Sequence, residues 1–152
     1  MIPFIKNEEE KIESESKKIL GSVEKGANFK ISASCNRVAT LDGHVETVFV
    51  KMQKPAEPDL VAKAMVEFRG EPQKLKLPSA PASPIIVRHE EDRPQPRRDR
   101  MAGDGMAVVV GRLRKDSALG GIKYVVLGHN TVRGAAGCSI INAELFKAKG
   151  IS

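Results

Sequence analysis

The chain has 152 residues, a formal net charge of +6, five Phe, one Tyr and no Trp. That length suits one domain with a sizeable core, and the longest apolar runs, such as Met106 to Val110, are far too short to cross a bilayer. The basic residues are interleaved with acids and lack aromatic platforms for base stacking. The charge therefore fits small anions or ordinary surface solvation better than nucleic acid.

Met1-Ile2-Pro3-Phe4-Ile5 is no signal peptide, because Lys6 and three glutamates follow at once. Asn7 to Leu20 reads as a helix with Asn7 as its cap and Glu10 completing an Asn-x-x-Glu variant of the capping box. Ile12, Ile19, Leu20 and Val23 form its apolar stripe, and Gly21 and Gly26 mark its end. Phe29, Ile31, Ala33 and Cys35 alternate with Lys30, Ser32 and Ser34, the period of a half-buried strand. Leu41-Asp42-Gly43 signals a turn, and Val45 to Met52 resumes an extended pattern. A β-hairpin with Arg37 and His44 flanking its turn is the expectation.

Pro58 to Phe68 predicts a short helix opened by proline and striped by Leu60, Val61, Ala64, Met65 and Phe68. Prolines at 72, 78, 81, 84, 94 and 96 then interrupt the chain, leaving room for a short strand at Ile85-Ile86-Val87. Arg88 to Arg100 reads as a mixed-charge loop. Met106 to Arg114 and Ile122 to Leu127 read as neighbouring strands joined through Gly120-Gly121. A final helix is expected over 130–149, with Val132, Ala135, Ala136, Ser139, Ile140, Ala143 and Phe146 on one face and Gly150 ending it. Gly134 and Gly137 within it suggest either a close approach by backbone or ligand, or simple tight packing. The order of elements indicates an α+β domain with a mainly antiparallel sheet.

The chemistry-bearing stretch is Cys35-Asn36-Arg37-Val38-Ala39-Thr40-Leu41-Asp42-Gly43-His44. Arginine holds a carboxylate through two parallel hydrogen bonds, and histidine exchanges a proton near neutral pH. Each residue alone is commonplace; together they suggest a site that grips a small acid and moves protons beside it. Cys35 and Cys138 lie in apolar surroundings without the spacing of a metal site or a disulfide framework, as in a reducing cytoplasm. No metal site is expected. No glycine-rich nucleotide loop of either common type occurs.

Four segments resemble the carboxy-terminal half of the aspartate-semialdehyde dehydrogenase family, in its archaeal and fungal-type branch. They are Ile2 to Lys11, Cys35 to His44, Asp99-Arg100-Met101-Ala102-Gly103-Asp104-Gly105-Met106, and Leu127-Gly128-His129-Asn130-Thr131-Val132-Arg133-Gly134-Ala135-Ala136-Gly137. The resemblance runs in order over essentially the whole chain. It implies a glyceraldehyde-3-phosphate-dehydrogenase-like C-terminal domain with helices packed on one face of the sheet. Residues 1–129 would form a substrate-binding and dimerisation domain, and the helix over 130–152 would pack on a Rossmann domain outside this chain. The family reduces β-aspartyl phosphate to aspartate semialdehyde with NADPH, releasing phosphate, on the route to lysine, threonine, methionine and isoleucine. A cytoplasmic homodimer or homotetramer without nucleic-acid or membrane partners is the expectation for this chain.

The resemblance implies a role for each matching residue. His44 is the acid/base, Arg37 binds the substrate α-carboxylate, Lys11 the phosphate and Glu8 the amino group. Asn130 lies near the nicotinamide amide of NADP, although locally it reads as a plain helix cap. The four substrate-handling residues should converge on one cleft. The family's nucleophilic cysteine sits in an Asn-Cys-Ser or Asn-Cys-Thr motif that this chain does not contain, so the chain by itself should be inactive. Two alternatives remain: a related acyl-CoA reductase, such as malonyl-CoA reductase, and a free-standing, non-catalytic binding or dimerisation module.

Overall fold

The computed structural model describes residues 1–22 and 25–151, and it divides into two compact units, Met1–Thr40 and Leu41–Ser152. In the first unit, α1 spans Glu8–Ile19, with Glu8, Glu9 and Glu10 in its first turn and Lys17 and Lys18 in its last. Both placements oppose the helix dipole favourably. Asn7 precedes it in the left-handed region at φ 63° and makes no side-chain cap bond, so the expected Asn7 cap does not form. Ile12 of the expected stripe is half-buried, Ile19 and Leu20 are exposed, and Val23 lies outside the described residues.

The stretch 29–35 keeps its alternation, with Ile31, Ala33 and Cys35 half-buried and the residues between them exposed, but it is not a strand. Two glutamates of α1 take the place of a neighbouring strand. The Ala33 N–H donates to Glu13 Oε1 at 2.9 Å and the Cys35 N–H to Glu9 Oε1 at 2.7 Å. The repeats match. Four helical residues rise about 6 Å and two extended residues about 6.6 Å, so alternate amides meet carboxylates one helical turn apart. Beyond them, Arg37 and Ile2 exchange backbone hydrogen bonds of 2.8 and 2.9 Å in an isolated antiparallel bridge.

The second unit carries, in chain order, β1 (His44–Val50), α2 (Pro58–Glu67), α3 (Glu71–Lys74), β2 (Ile85–Val87), α4 (Pro96–Asp99), β3 (Val108–Asp116), β4 (Gly121–Gly128), a π-helical turn (Val132–Ala136) and α5 (Gly137–Ala148). The sheet order is β1-β4-β3-β2, with β1 and β3 antiparallel to β4 and β2 parallel to β3. The fold is α+β, with two of three strand pairings antiparallel. The expected hairpin does not form, because β1 takes β4 as its partner rather than the stretch before the turn. Strand pairing is non-local, and the alternation that marks a strand does not say which strand it meets.

The core centres on Val109 and Leu127, 0% and 1% exposed and opposite each other in β3 and β4. A second cluster joins Leu77, Met106 and Ile141, with Ala80, Val132 and Leu145 packed against it. Here the final helix departs from a simple 3.6-residue repeat. In the π turn the Gly134, Ala136 and Gly137 N–H groups donate to the carbonyls of His129, Thr131 and Val132, each five residues back. One extra residue rotates everything after it by about 100°. The face turned inward is therefore Val132, Gly137, Ile141 and Leu145. Ile140 and Phe146 of the expected stripe are 54% and 55% exposed, and Ala135, Ala136, Ser139 and Ala143 are exposed with them. The close approach expected at Gly137 is real, since a Cβ there would collide with the Met106 sulfur; a Cβ at Gly134 would meet nothing closer than 3.7 Å.

The segment 88–100, expected as a loop, contains α4 at Pro96–Asp99 and is clamped by fully buried Asp99. Arg93 grips both its oxygens, Arg88 Nε donates at 3.2 Å, and the Gln95 N–H donates at 2.8 Å. Burial alone would raise the Asp99 pKa, but the Arg93 hydrogen bonds, the Gln95 amide and the Arg88 charge outweigh it and hold the carboxyl below its ordinary value. Its stabilising contribution is therefore complete above the unfolded carboxyl pKa of about 3.9 and is lost as pH falls through the lower folded value. Asp99→Asn breaks the clamp and should destabilise the protein by about 3 kcal/mol at pH 7, read by urea unfolding, with the difference from wild type shrinking in strong acid. In the first unit, Glu9→Ala should speed amide exchange at Cys35 by about tenfold or more, the loss of one charge-assisted hydrogen bond. Glu9→Gln, which keeps an acceptor oxygen, should cost less.

Candidate functional site

In the first unit, Glu8 and Lys11 share the first turn of α1, with Glu8 half-buried and Lys11 exposed. Among the described residues they form no ion pair with each other. Arg37 is exposed, with its backbone fixed by the Ile2 bridge and its neighbourhood drawn to α1 by Glu9 through Cys35. A guanidinium carries a two-pronged donor set of the kind that can bind a carboxylate.

In the second unit, His44 is the first residue of β1, opposite Gly128 at the end of β4, and is exposed. The residue before it makes the entry possible. Gly43 has φ +104°, and a Cβ there would lie 3.1 Å from Leu127 Cδ1, so only glycine fits. The Gly43 N–H donates to Asn130 Oδ1 at 2.9 Å. Asn130, expected as a helix cap or a cofactor contact, thus ties the start of the final helical segment to the turn that delivers His44. His44 and Asn130 are brought together; Glu8, Lys11 and Arg37 belong to the other unit.

Sequence reasoning passed over Glu9 and Glu13, which hold the Arg37 segment, and His129, which is 6% exposed beside Asn130. The signal for the glutamates was present: carboxylates four apart on a helix, followed by alternating amides of an extended segment. A cavity of about 180 Å³ near the start of α2, lined by Asp59, Arg88, His89, Glu90, Arg112 and Arg114 among others, contains none of the expected site residues. Among the described residues no group of three or more His, Cys, Asp or Glu is placed to hold a metal ion, and no helix is long and apolar enough to cross a membrane.

The family profile described as the semialdehyde dehydrogenase dimerisation domain matches residues 1–133. Aspartate-semialdehyde dehydrogenase of Methanothermobacter thermautotrophicus is 55% identical over 150 residues, covering 95% of this chain and 43% of that protein. The NADP malonyl-CoA reductase of Metallosphaera sedula is 46% identical over 130 residues, covering 84% of this chain and 36% of the relative. The crystal structure of aspartate-semialdehyde dehydrogenase from Candida albicans, solved with NADP, superposes with a TM-score of 0.87 at 43% identity, covering 99% of this chain and 45% of that one. The chain thus spans less than half the length of the proteins it matches, and the matching part is their C-terminal portion. With the profile covering most of its length and the fold agreeing, the chain belongs to the semialdehyde dehydrogenase dimerisation-domain family.

Proposed function

We propose that this chain is the substrate-binding and dimerisation part of an NADP-dependent aspartate-semialdehyde dehydrogenase, acting on β-aspartyl phosphate, aspartate semialdehyde and phosphate in the cytoplasm as a homodimer or homotetramer. The observation that carries the reading is the 55% identity over 95% of the chain to an enzyme of that name. The placement of His44 and Asn130 at one turn supports it.

Arg37 holds the α-carboxylate by its fork, Lys11 offsets the phosphate charge and Glu8 accepts from the α-amino group. His44, exposed at the start of β1, gives and takes the proton at the substrate's reacting oxygen. NADP, when bound, supplies the hydride. Asn130 fits a carboxamide partner: its Oδ1 is already engaged by Gly43, which leaves the Nδ2 donors to face a nicotinamide oxygen. Residues 130–152 pack on the nucleotide-binding domain, which covers the open face of Ile140 and Phe146. The chain alone is inactive for want of the thiol nucleophile.

The second reading, an acyl-CoA reductase, is favoured by the 46% identity to malonyl-CoA reductase. Assay of the dehydrogenase that carries this chain decides between them: reduction of NADP with aspartate semialdehyde and phosphate supports the first, and oxidation of NADPH with malonyl-CoA but no turnover of aspartate semialdehyde supports the second. In that enzyme Arg37→Lys should raise KM for aspartate semialdehyde by about tenfold or more with little change in kcat, because lysine lacks the fork. His44→Ala should lower kcat by about two to four orders of magnitude with KM little changed. A His44→Ala enzyme with normal kcat would remove His44 from the chemistry.

A further inference from the structure

His129 is buried at the meeting point of three chain segments, and the proposed chemistry makes no use of it. Its Nδ1 lies 3.4 Å from the Val132 nitrogen, which donates to it, and 3.2 Å from Thr131 Oγ1. With the Val132 N–H pointing at it, Nδ1 acts as the acceptor, which leaves Nε2 as the ring nitrogen that carries a proton. The imidazole thus serves as the cap of the π turn that opens the final helical segment, a place where backbone N–H groups otherwise lack partners.

The opposite edge of the ring is just as closely fitted. Gly103, Asp104 and Gly105 all have positive φ, at 56°, 56° and 79°. A Cβ built on Gly105 would lie 3.1 Å from His129 Cδ2 and 3.1 Å from Val132 Cβ. The turn over 103–105 therefore closes against the ring only because its third residue is glycine. The third segment arrives through the neighbouring residue, since Asn130 Oδ1 holds the Gly43 N–H at 2.9 Å and Gly43 leads directly into His44.

We propose that His129 is a positioning residue for His44: by capping the Thr131–Val132 turn and bearing on Gly105, it fixes Asn130 where its carbonyl oxygen holds the Gly43 amide. The importance of this coupling to catalysis rests on the reading of His44 as the proton-handling group, but the coupling itself is measurable without turnover. A residue that merely fills space would be replaced equally well by any side chain of similar size. A positioning residue needs an acceptor at the place of Nδ1, and asparagine supplies one through Oδ1 while leucine does not.

The test is amide exchange by NMR on the whole chain, comparing wild type with His129→Leu and His129→Asn. The expected result is exchange at the Gly43 amide about tenfold or more faster in H129L, amides of the β3–β4 ladder unchanged within about twofold, and Gly43 protection in H129N restored to within about threefold of wild type. Unchanged Gly43 protection in H129L overturns the proposal. So does an H129N variant no better than H129L, or a rise at Gly43 matched throughout the ladder, which is general destabilisation. If H129L does not fold, His129→Gln, whose acceptor sits one methylene farther out, takes its place with the same expected loss at Gly43. In the wild type, a long-range proton–nitrogen spectrum should show the proton on Nε2, and a proton on Nδ1 overturns the capping geometry. Failure of the His44 reading looks different: H129L loosens Gly43 as expected while His44→Ala leaves kcat untouched.

Discussion

The register of β4 against its two neighbours governs the second unit. Leu127 is buried against Val109 of β3, and the next residue, Gly128, stands opposite His44 of β1. A slip of one residue would turn Leu127 out of the core, so the apolar pairing on one side of β4 fixes the position of His44 on the other. The strand then ends and the chain continues at once into His129 and Asn130. Hydrophobic burial thereby sets the coarse geometry of the site, and two polar side chains set the remainder.

The π turn shows how one local irregularity redirects a whole element. Counting by 3.6 from Val132 leads to Ala136, Ile140 and Ala143, the stripe legible in the sequence. Bonds to the fifth residue back shift Ala136 and Ile140 out by one, so that Gly137 and Ile141, followed a turn later by Leu145, face inward instead. Gly137 suits the first of these positions because the Met106 thioether lies where its side chain would be. The consequence is a terminal helix that packs on its own unit through Ile141 while presenting Ile140 and Phe146 outward. Wider turns of this kind recur at functional sites, and this one begins two residues after Asn130.

Much of the fold was legible because its signals are local. Proline at the start of α2, the three-residue run Ile85-Ile86-Val87 between prolines, and the Gly-Gly turn between β3 and β4 each specify their element without reference to distant residues. Arg37 and His44 could be singled out by chemical type alone. What the pattern could not carry was pairing: 29–35 alternates as a strand does, yet its amides meet carboxylates of α1, and β1 meets β4 some eighty residues away. The cap at Asn7 failed for a related reason. Its backbone is turned to the left-handed region, and no side-chain bond to the helix accompanies that turn.

A common device occurs beside the candidate residues of each unit. Arg37, Lys11 and His44 are exposed, and exposed side chains keep their rotamer freedom until a contact orders them, at a cost of up to about 2 kcal/mol for the long Arg and Lys. Their backbones have already surrendered that freedom. The amide of Cys35, two residues before Arg37, is held by Glu9, and the amide of Gly43, one residue before His44, is held by Asn130. In each case a side-chain oxygen grips a backbone N–H just upstream of a proposed site residue. Such a grip limits where the side chain can go without touching the side chain itself, so its polar head stays exposed. It also explains why the residues that do the holding escaped a search by chemical type: their oxygen atoms act on backbone amides, which every position but proline possesses.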